Sequence, residues 1–182
     1  MSFRIWIKGL QTDLDFPATV AYSLGNGTFG NGVYSRLSRI NTTKEVSQSV
    51  ACQPGWSWIC INITPANLDM SQVMSSLDKL MIAINGDGQF YLPGVVNNIG
   101  QYAVTQGYKV YLNSVDTLRV SGLPVTSSTA VPLSAGWHLI SYLPSKAMSV
   151  ESALTSIRAK LAIAKNARGG YYIPGTDRKS VV

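Results

Sequence analysis

A lone histidine would matter most if this chain were an enzyme. His138 could act as the base of a Ser/His/Asp system, but it stands beside Trp137 in a strand-like run, and Ser57 occupies the matching position of an internal repeat. The nine Asp and Glu residues are spread thinly, so paired carboxylates for acid–base catalysis are equally hard to assemble. These patterns favour a packing or surface role for His138 and a protein that is not an enzyme.

Residues 25–30, Gly-Asn-Gly-Thr-Phe-Gly, match the spacing of a dinucleotide-binding loop. Such a loop needs a helix that begins at its last glycine, so that the amides of the first turn face the pyrophosphate. Here Asn31-Gly32 follows, and then a strand-like run. The segment therefore predicts a glycine-rich loop between strands, and no cofactor is expected.

Residues 85–88, Asn-Gly-Asp-Gly, resemble the opening of a calcium-binding loop. Calcium requires several oxygen ligands at fixed spacing that end in a bidentate acid. No Asp or Glu follows before Asp116, and the matching residues 166–169 are Asn-Ala-Arg-Gly, with a cation in place of the acid. The motif therefore predicts a β-hairpin turn, and no metal site is expected.

Five aromatic residues are the remaining candidates for ligand contact. Their side chains could form a face on which sugar rings stack; they are Trp56, Trp58, Tyr108, Tyr111 and Trp137. Tryptophan at a repeated position is more often a core anchor, so we expect core packing and keep the sugar-stacking face as the alternative. Solvent exposure of Trp56 and Trp58 separates the two interpretations.

Two stretches of the chain match at a fixed offset. Residues 55–59, Gly-Trp-Ser-Trp-Ile, pair with residues 136–140, Gly-Trp-His-Leu-Ile, and residues 90–94 pair with residues 171–175. Both pairs are offset by 81 residues, which indicates an internal duplication. We name residues 51–126 the first segment and residues 127–176 the second segment.

Each segment carries a helical pattern of apolar residues. Positions i, i+3, i+4, i+7 and i+11 are apolar from Met70 and again from Val150, and Asp69 and Ser149 stand just before these stripes as N-caps. We expect helices over 70–80 and 150–161 whose stripes pack into the core.

The rest of the chain alternates as strands do. The predicted strands cover residues 3–7, 18–24, 33–40 and 55–63, a hairpin of 80–84 with 89–92, and 107–112 paired with 116–120 through Asn113-Ser114. Residues 123–135, rich in Pro, Ser and Thr, link the two segments. Cys52 and Cys60 form no CxxC pair, and an extended strand between them holds their sulfurs apart, so both are expected as thiols and their redox state stays open.

Composition narrows the class of protein. Hydrophobic residues make up 46% and charged residues only 13%, about half the charged fraction usual in soluble domains. The net charge of +6 arises from scarce acids, and no run of Lys or Arg indicates nucleic-acid binding. No apolar stretch approaches the roughly 20 residues that span a membrane. Arg4 and Lys8 interrupt an apolar start, so no signal peptide is expected within the chain.

Together, residues 55–59, 85–91, 107–111 and 116–118 resemble the Gly-Trp-type repeat modules of large secreted surface proteins of Gram-negative bacteria. Residues 16–19 and 27–30 resemble the β-domain that often precedes such modules. The resemblance implies an extracellular or cell-surface location near C-terminal sorting domains, and a display or adhesion role. Its motifs are structural, and it brings no catalytic residues to this chain.

The expected fold is α+β and β-rich. Residues 1–50 form a partial, sandwich-like β-domain, the first segment is a complete strand–helix–hairpin module, and the second segment is a truncated one. Residues 177–182, Asp-Arg-Lys-Ser-Val-Val, are interpreted as a non-native tail, because this string is one reading frame of a common sequencing adapter, as in a metagenomic fragment. Truncation predicts exposed apolar residues in the second segment, namely Leu139, Leu154, Ile157, Leu161 and Ile163.

Two functions remain open at this point. The first is a non-catalytic, extracellular structural or adhesive module of a bacterial secreted or surface protein, with other surface proteins as partners. The second is a carbohydrate-binding module of a secreted hydrolase that uses exposed Trp and Tyr. Neither requires a cofactor, and nucleic acid is not an expected partner.

Overall fold

The computed structural model describes residues 18–25, 36–42 and 45–175. Strands account for 38% and helices for 8%, and the sheets are antiparallel, which confirms a β-rich protein. The chain divides into two compact units, residues 1–46 and 47–182. No helix among the described residues has the length and apolar character needed to cross a membrane.

The described part of the first unit is an antiparallel strand pair, β1 (Ala18–Leu24) and β2 (Arg36–Thr42). The predicted strand over 18–24 is confirmed, whereas the one predicted over 33–40 is described only from Arg36 and continues to Thr42. The strand predicted over 3–7 and most of the glycine-rich loop of residues 25–30 lie outside the described residues.

The second unit contains two larger sheets. In chain order its elements are β3 (Val46–Cys52), β4 (Gly55–Ile59), β5 (Ile63–Pro65), α1 (Met70–Val73), β6 (Leu80–Ile84), β7 (Phe90–Leu92), β8 (Val96–Asn97), β9 (Tyr108–Leu112) and β10 (Asp116–Pro124). One sheet has the order β3-β10-β5, and the other has the order β4-β9-β6-β7-β8. Strand β9 is therefore the partner of both β4 and β6.

The prediction that residues 107–112 pair with residues 116–120 is wrong. Both edges of β9 are already hydrogen-bonded, since Tyr111 lies opposite Trp56 on one side and opposite Ile82 on the other. The chain therefore crosses to the second sheet, where β10 buries Leu118 and Val120.

A single cluster of buried residues forms the core. It draws on both larger sheets and on the helical segment, and all its buried members lie between Cys52 and Val120. Tyr102 and Tyr108 stack inside it with ring centroids 5.2 Å apart. The described core therefore belongs to the first segment.

Helix α1 is shorter than its apolar stripe predicted. Asp69 caps it as expected, because its carboxylate accepts the Ser71 amide at 2.8 Å. The helix ends at Val73, and Leu77 already bonds only three residues back, to the Met74 carbonyl. The chain then continues into β6, which begins at Leu80 and pairs with β9. The apolar stripe correctly predicted which side chains are buried as far as Leu77. The helix that it predicted over 70–80 is wrong in length.

The second segment has fewer and smaller elements, and its residues 136–140, which correspond to β4, form no strand. Its elements are α2 (Val150–Ala153), a 3₁₀ turn (Thr155–Ile157), β11 (Ala164–Lys165) and β12 (Tyr171–Tyr172). Ser149 caps α2 as predicted, since its side chain accepts the Ser152 amide. The helix predicted over 150–161 is otherwise wrong in length, because α2 ends after one turn.

Backbone hydrogen bonds in the two segments correspond closely. The N–H four residues after the cap donates to the cap carbonyl, at 3.0 Å for Asp69 and 2.9 Å for Ser149. Strand β11 pairs Ala164 with Tyr172, just as β6 pairs Ala83 with Tyr91 at an offset of 81 residues. The two stretches thus share the hydrogen bonding of the helix cap and of the hairpin.

Candidate functional site

The five-stranded sheet has two unlike faces. Side chains along a strand point alternately to its two sides, and one side carries Ile59, Tyr108, Val110 and Leu112, which are all buried. The opposite side of the same strands is open to solvent. This open side is the candidate functional site.

Three large aromatic side chains lie on that open side. Trp56 is 54% exposed, Trp58 is 40% exposed and Tyr111 is 39% exposed. Trp56 lies directly opposite Tyr111, with ring centroids 5.3 Å apart and planes inclined at 66°. We call Trp56, Trp58, Tyr111 and the neighbouring Lys109 the aromatic face. The expectation that Trp56 and Trp58 are core anchors is therefore wrong.

Lys109 completes the aromatic face. It lies opposite Trp58 in the register, and its Nζ atom lies 5.3 Å from the centroid of the Trp58 ring. An ammonium group at this distance is attracted to the negative face of the indole. The face therefore combines apolar rings with one positive charge.

Tyr108 does not belong to this face. It is 1% exposed, and its hydroxyl oxygen accepts the Ala103 amide at 2.8 Å. Burial raises the pKa of this phenol. Because Tyr108 and Tyr111 are separated by an odd number of positions, they lie on opposite sides of β9. Tyr108 is packed in the core as expected, and the alternative that it forms part of a sugar-stacking face is wrong for this residue.

Apolar side chains extend the open side beyond the aromatic face. Ile82 lies opposite Tyr111, Ile84 lies opposite Lys109, and Phe90 lies opposite Ile84. All three are half-buried. An extended apolar surface with a polar component is typical of a binding region.

A third exposed tryptophan lies in the second segment. Trp137 is 69% exposed, and the Nζ atom of Lys165 lies 5.5 Å from its ring centroid. The described residues thus contain two tryptophan–lysine pairs, Trp58 with Lys109 and Trp137 with Lys165. Both lysines were missed in the sequence, although alternation along 107–112 already placed Lys109 on the same side as Tyr111.

The Asn-Gly-Asp-Gly motif forms the predicted hairpin turn between β6 and β7. In this turn and in the matching one, an asparagine side-chain oxygen accepts the backbone amides two and four residues further on. The distances are 3.1 and 2.9 Å for Asn85, and 3.0 and 2.8 Å for Asn166. Both side-chain oxygens are therefore occupied by the turn itself.

The remaining polar candidates lie apart from one another. His138 is exposed, and its Nε2 atom lies 3.2 Å from the hydroxyl of Ser134. Cys52 and Cys60 are free thiols, as predicted, and burial raises the pKa of Cys52. Within the described ranges, no three His, Cys, Asp or Glu side chains lie close enough together to hold a metal ion.

Comparisons with protein-family models, curated proteins and solved structures found no match for this chain. The resemblance to Gly-Trp-type repeat modules stays a prediction. The aromatic face is therefore the feature from which a function can be proposed.

Proposed function

We propose that this chain is a non-catalytic, extracellular binding module that stacks sugar rings on its aromatic face. The observation that supports this most directly is the exposure of Trp56, Trp58 and Tyr111 on one side of one sheet. Exposure of the two tryptophans is the feature that separates a carbohydrate-binding module from a purely structural one.

The spacing of the rings suits a chain of sugars. Residues two apart on a strand are about 7 Å apart, and neighbouring strands are about 5 Å apart. Trp56 and Trp58 are related in the first way, whereas Trp56 and Tyr111 are related in the second. The resulting platform presents adjacent apolar surfaces whose negative ring faces attract the C–H edges of a pyranose.

The rigidity of the platform supports the same proposal. The aromatic residues lie on strands whose opposite side is packed into the core, with Val110 and Leu112 fully buried. Side chains held on a rigid sheet lose little conformational freedom when a ligand binds. A preformed platform therefore favours binding over a role in internal packing.

Calorimetric titration with soluble oligosaccharides tests the proposal. We expect Trp56→Ala and Trp58→Ala each to weaken binding at least tenfold, because each removes one stacking surface. Val115→Ala changes an equally exposed apolar residue outside the aromatic face and should bind like the wild type. Equal affinity in all four proteins, or no binding to any neutral or acidic oligosaccharide, would overturn the proposal.

A structural or adhesive module of a secreted surface protein is the second candidate. It is favoured by the corresponding hydrogen bonds at the two caps and the two asparagine turns, which support a duplicated module. Superposition of residues 80–94 on residues 161–175 in a crystal structure tests the duplication on which this candidate depends. A different backbone path in the second hairpin would exclude the duplication.

A further inference from the structure

Both tryptophan–lysine pairs carry an uncompensated positive charge. Lys109 lies over Trp58 and Lys165 lies over Trp137. Within the described ranges the one ion pair joins Arg158 to Glu151, at 3.0 Å. Neither lysine beside a tryptophan therefore has a carboxylate partner among the described residues.

Three acids of the first segment have partners other than these two lysines. Asp69 caps α1, Asp87 accepts a hydrogen bond from Gln106, and Asp116 accepts the amides of Lys79 and Thr117. None of these three carboxylates forms an ion pair with Lys109 or Lys165. The charge of both pairs thus complements an anion.

We infer that the carbohydrate bound by this chain is an acidic polysaccharide whose sugar rings carry carboxylates. This inference rests on the proposed function. At each pair the pyranose ring packs against the indole, while its carboxylate accepts a charge-assisted hydrogen bond from the lysine ammonium. A neutral sugar uses only the ring surface and leaves the positive charge unpaired.

The same groups fit single-stranded nucleic acid less well. Such binding combines aromatic rings with a positively charged groove that follows the phosphate backbone. Here the cations are single residues, and the sequence contains no run of Lys or Arg at either pair. Isolated charges suit isolated carboxylates, so nucleic acid becomes one outcome of the test.

Matched acidic and neutral sugars test the inference. The probes are oligomers of galacturonate and of mannuronate, each compared with its methyl ester by calorimetry at low salt. We expect an acid to bind about tenfold more tightly than its ester, as one charged hydrogen bond predicts. Salt at about 0.5 M should reduce the difference, since it screens exposed charges.

Substitution of the lysines locates the effect. Lys109→Gln and Lys165→Gln should each reduce the preference for the acid, and the double variant should bind acid and ester equally. Lys160→Gln removes an exposed lysine that belongs to neither pair and should keep the preference.

The outcomes separate the two proposals. Equal binding of acid and ester by the wild type, still weakened by Trp58→Ala, overturns the acidic ligand and leaves sugar stacking intact. Absence of binding to every sugar overturns both. Tighter binding to a thymidine oligonucleotide than to any acidic sugar assigns the two pairs to nucleic acid and also overturns the inference.

Discussion

Trp56 and Tyr111 meet edge to face across the antiparallel strands β4 and β9, with ring centroids 5.3 Å apart. Aromatic pairs with this geometry contribute about 0.5–1.5 kcal/mol beyond the area they bury. We expect a double-mutant cycle of Trp56→Ala and Tyr111→Ala, measured by urea unfolding, to give a coupling free energy in that range. If the effects of the two substitutions are additive, the coupling free energy is zero and the two rings do not stabilise each other.

The aromatic face illustrates how far the sequence could predict the site. Alternation along 55–59 correctly placed Trp56 and Trp58 on one side of a strand. It did not show which side faces the core, since both sides of that strand are largely apolar. The core side is determined by distant partners, namely the residues of β10 and the helical segment that pack beneath the sheet.

The fold shows the same division between local and distant information. Both caps and the Asn85 turn were predicted, because a side chain that bonds its own neighbouring amides needs no distant partner. The sheet that receives β10 and the early end of α1 were not predicted. Both outcomes depend on β6. This strand occupies the edge of β9 at which β10 was expected to pair, and it begins at Leu80, within the range of the predicted helix.

Tyr102 provides a test of the buried hydrogen bonds. Its hydroxyl donates to the Ile61 carbonyl at 2.9 Å and lies 3.3 Å from the Ile61 amide, in a buried position. Tyr102→Phe should lower the free energy of unfolding by about 1–3 kcal/mol, because it leaves buried backbone groups unpaired. Tyr111→Phe removes a hydroxyl from an exposed side chain and should cost much less. Similar losses in the two variants would contradict the proposed role of burial.

Gly122 provides a test of the contact between β10 and β5. A Cβ atom at this position would lie 2.1 Å from the Thr64 carbonyl oxygen, so the strands would have to move apart. Gly122→Ala should lower the free energy of unfolding by about 1–3 kcal/mol or more, as overpacking does. Gly86→Ala, whose Cβ would meet its nearest neighbour at 3.4 Å, serves as the control. The prediction fails if both alanines are tolerated equally.

Two carboxylates make stability depend on acidity. Hydrogen bonds from Ser71 lower the pKa of Asp69, and the amides of Thr117 and Lys79 lower the pKa of Asp116. An unfolded Asp has a pKa of about 3.9, so this stabilisation is present above that pH and is lost as the pH falls through the lower pKa of the folded state. Urea unfolding from pH 7 to 2 should show Asp116→Asn losing less stability than the wild type on acidification. Parallel curves would exclude a contribution from this carboxylate.

The second segment should be less protected than the first. Val150 is 40% exposed where the corresponding Met70 is fully buried, and no residue of α2 is buried. Leu154 and Ile157 are half-buried, whereas the corresponding Met74 and Leu77 are buried. The prediction that the second segment exposes its apolar side chains is wrong in degree, since all five residues are half-buried: Leu139, Leu154, Ile157, Leu161 and Ile163.

The strand pairing explains this difference. Strand β9 lies between β4 and β6 in the first segment, whereas among the described residues β11 pairs only with β12. Leaving 200 Å² of apolar surface uncovered costs on the order of 5 kcal/mol, comparable to the stability of a small domain. Amide hydrogen exchange at matched positions should therefore be much faster in 136–175 than in 55–94. Equal protection in a monomer would show that the second segment is as stable as the first, and that the exposed stripe of α2 has little effect on its stability.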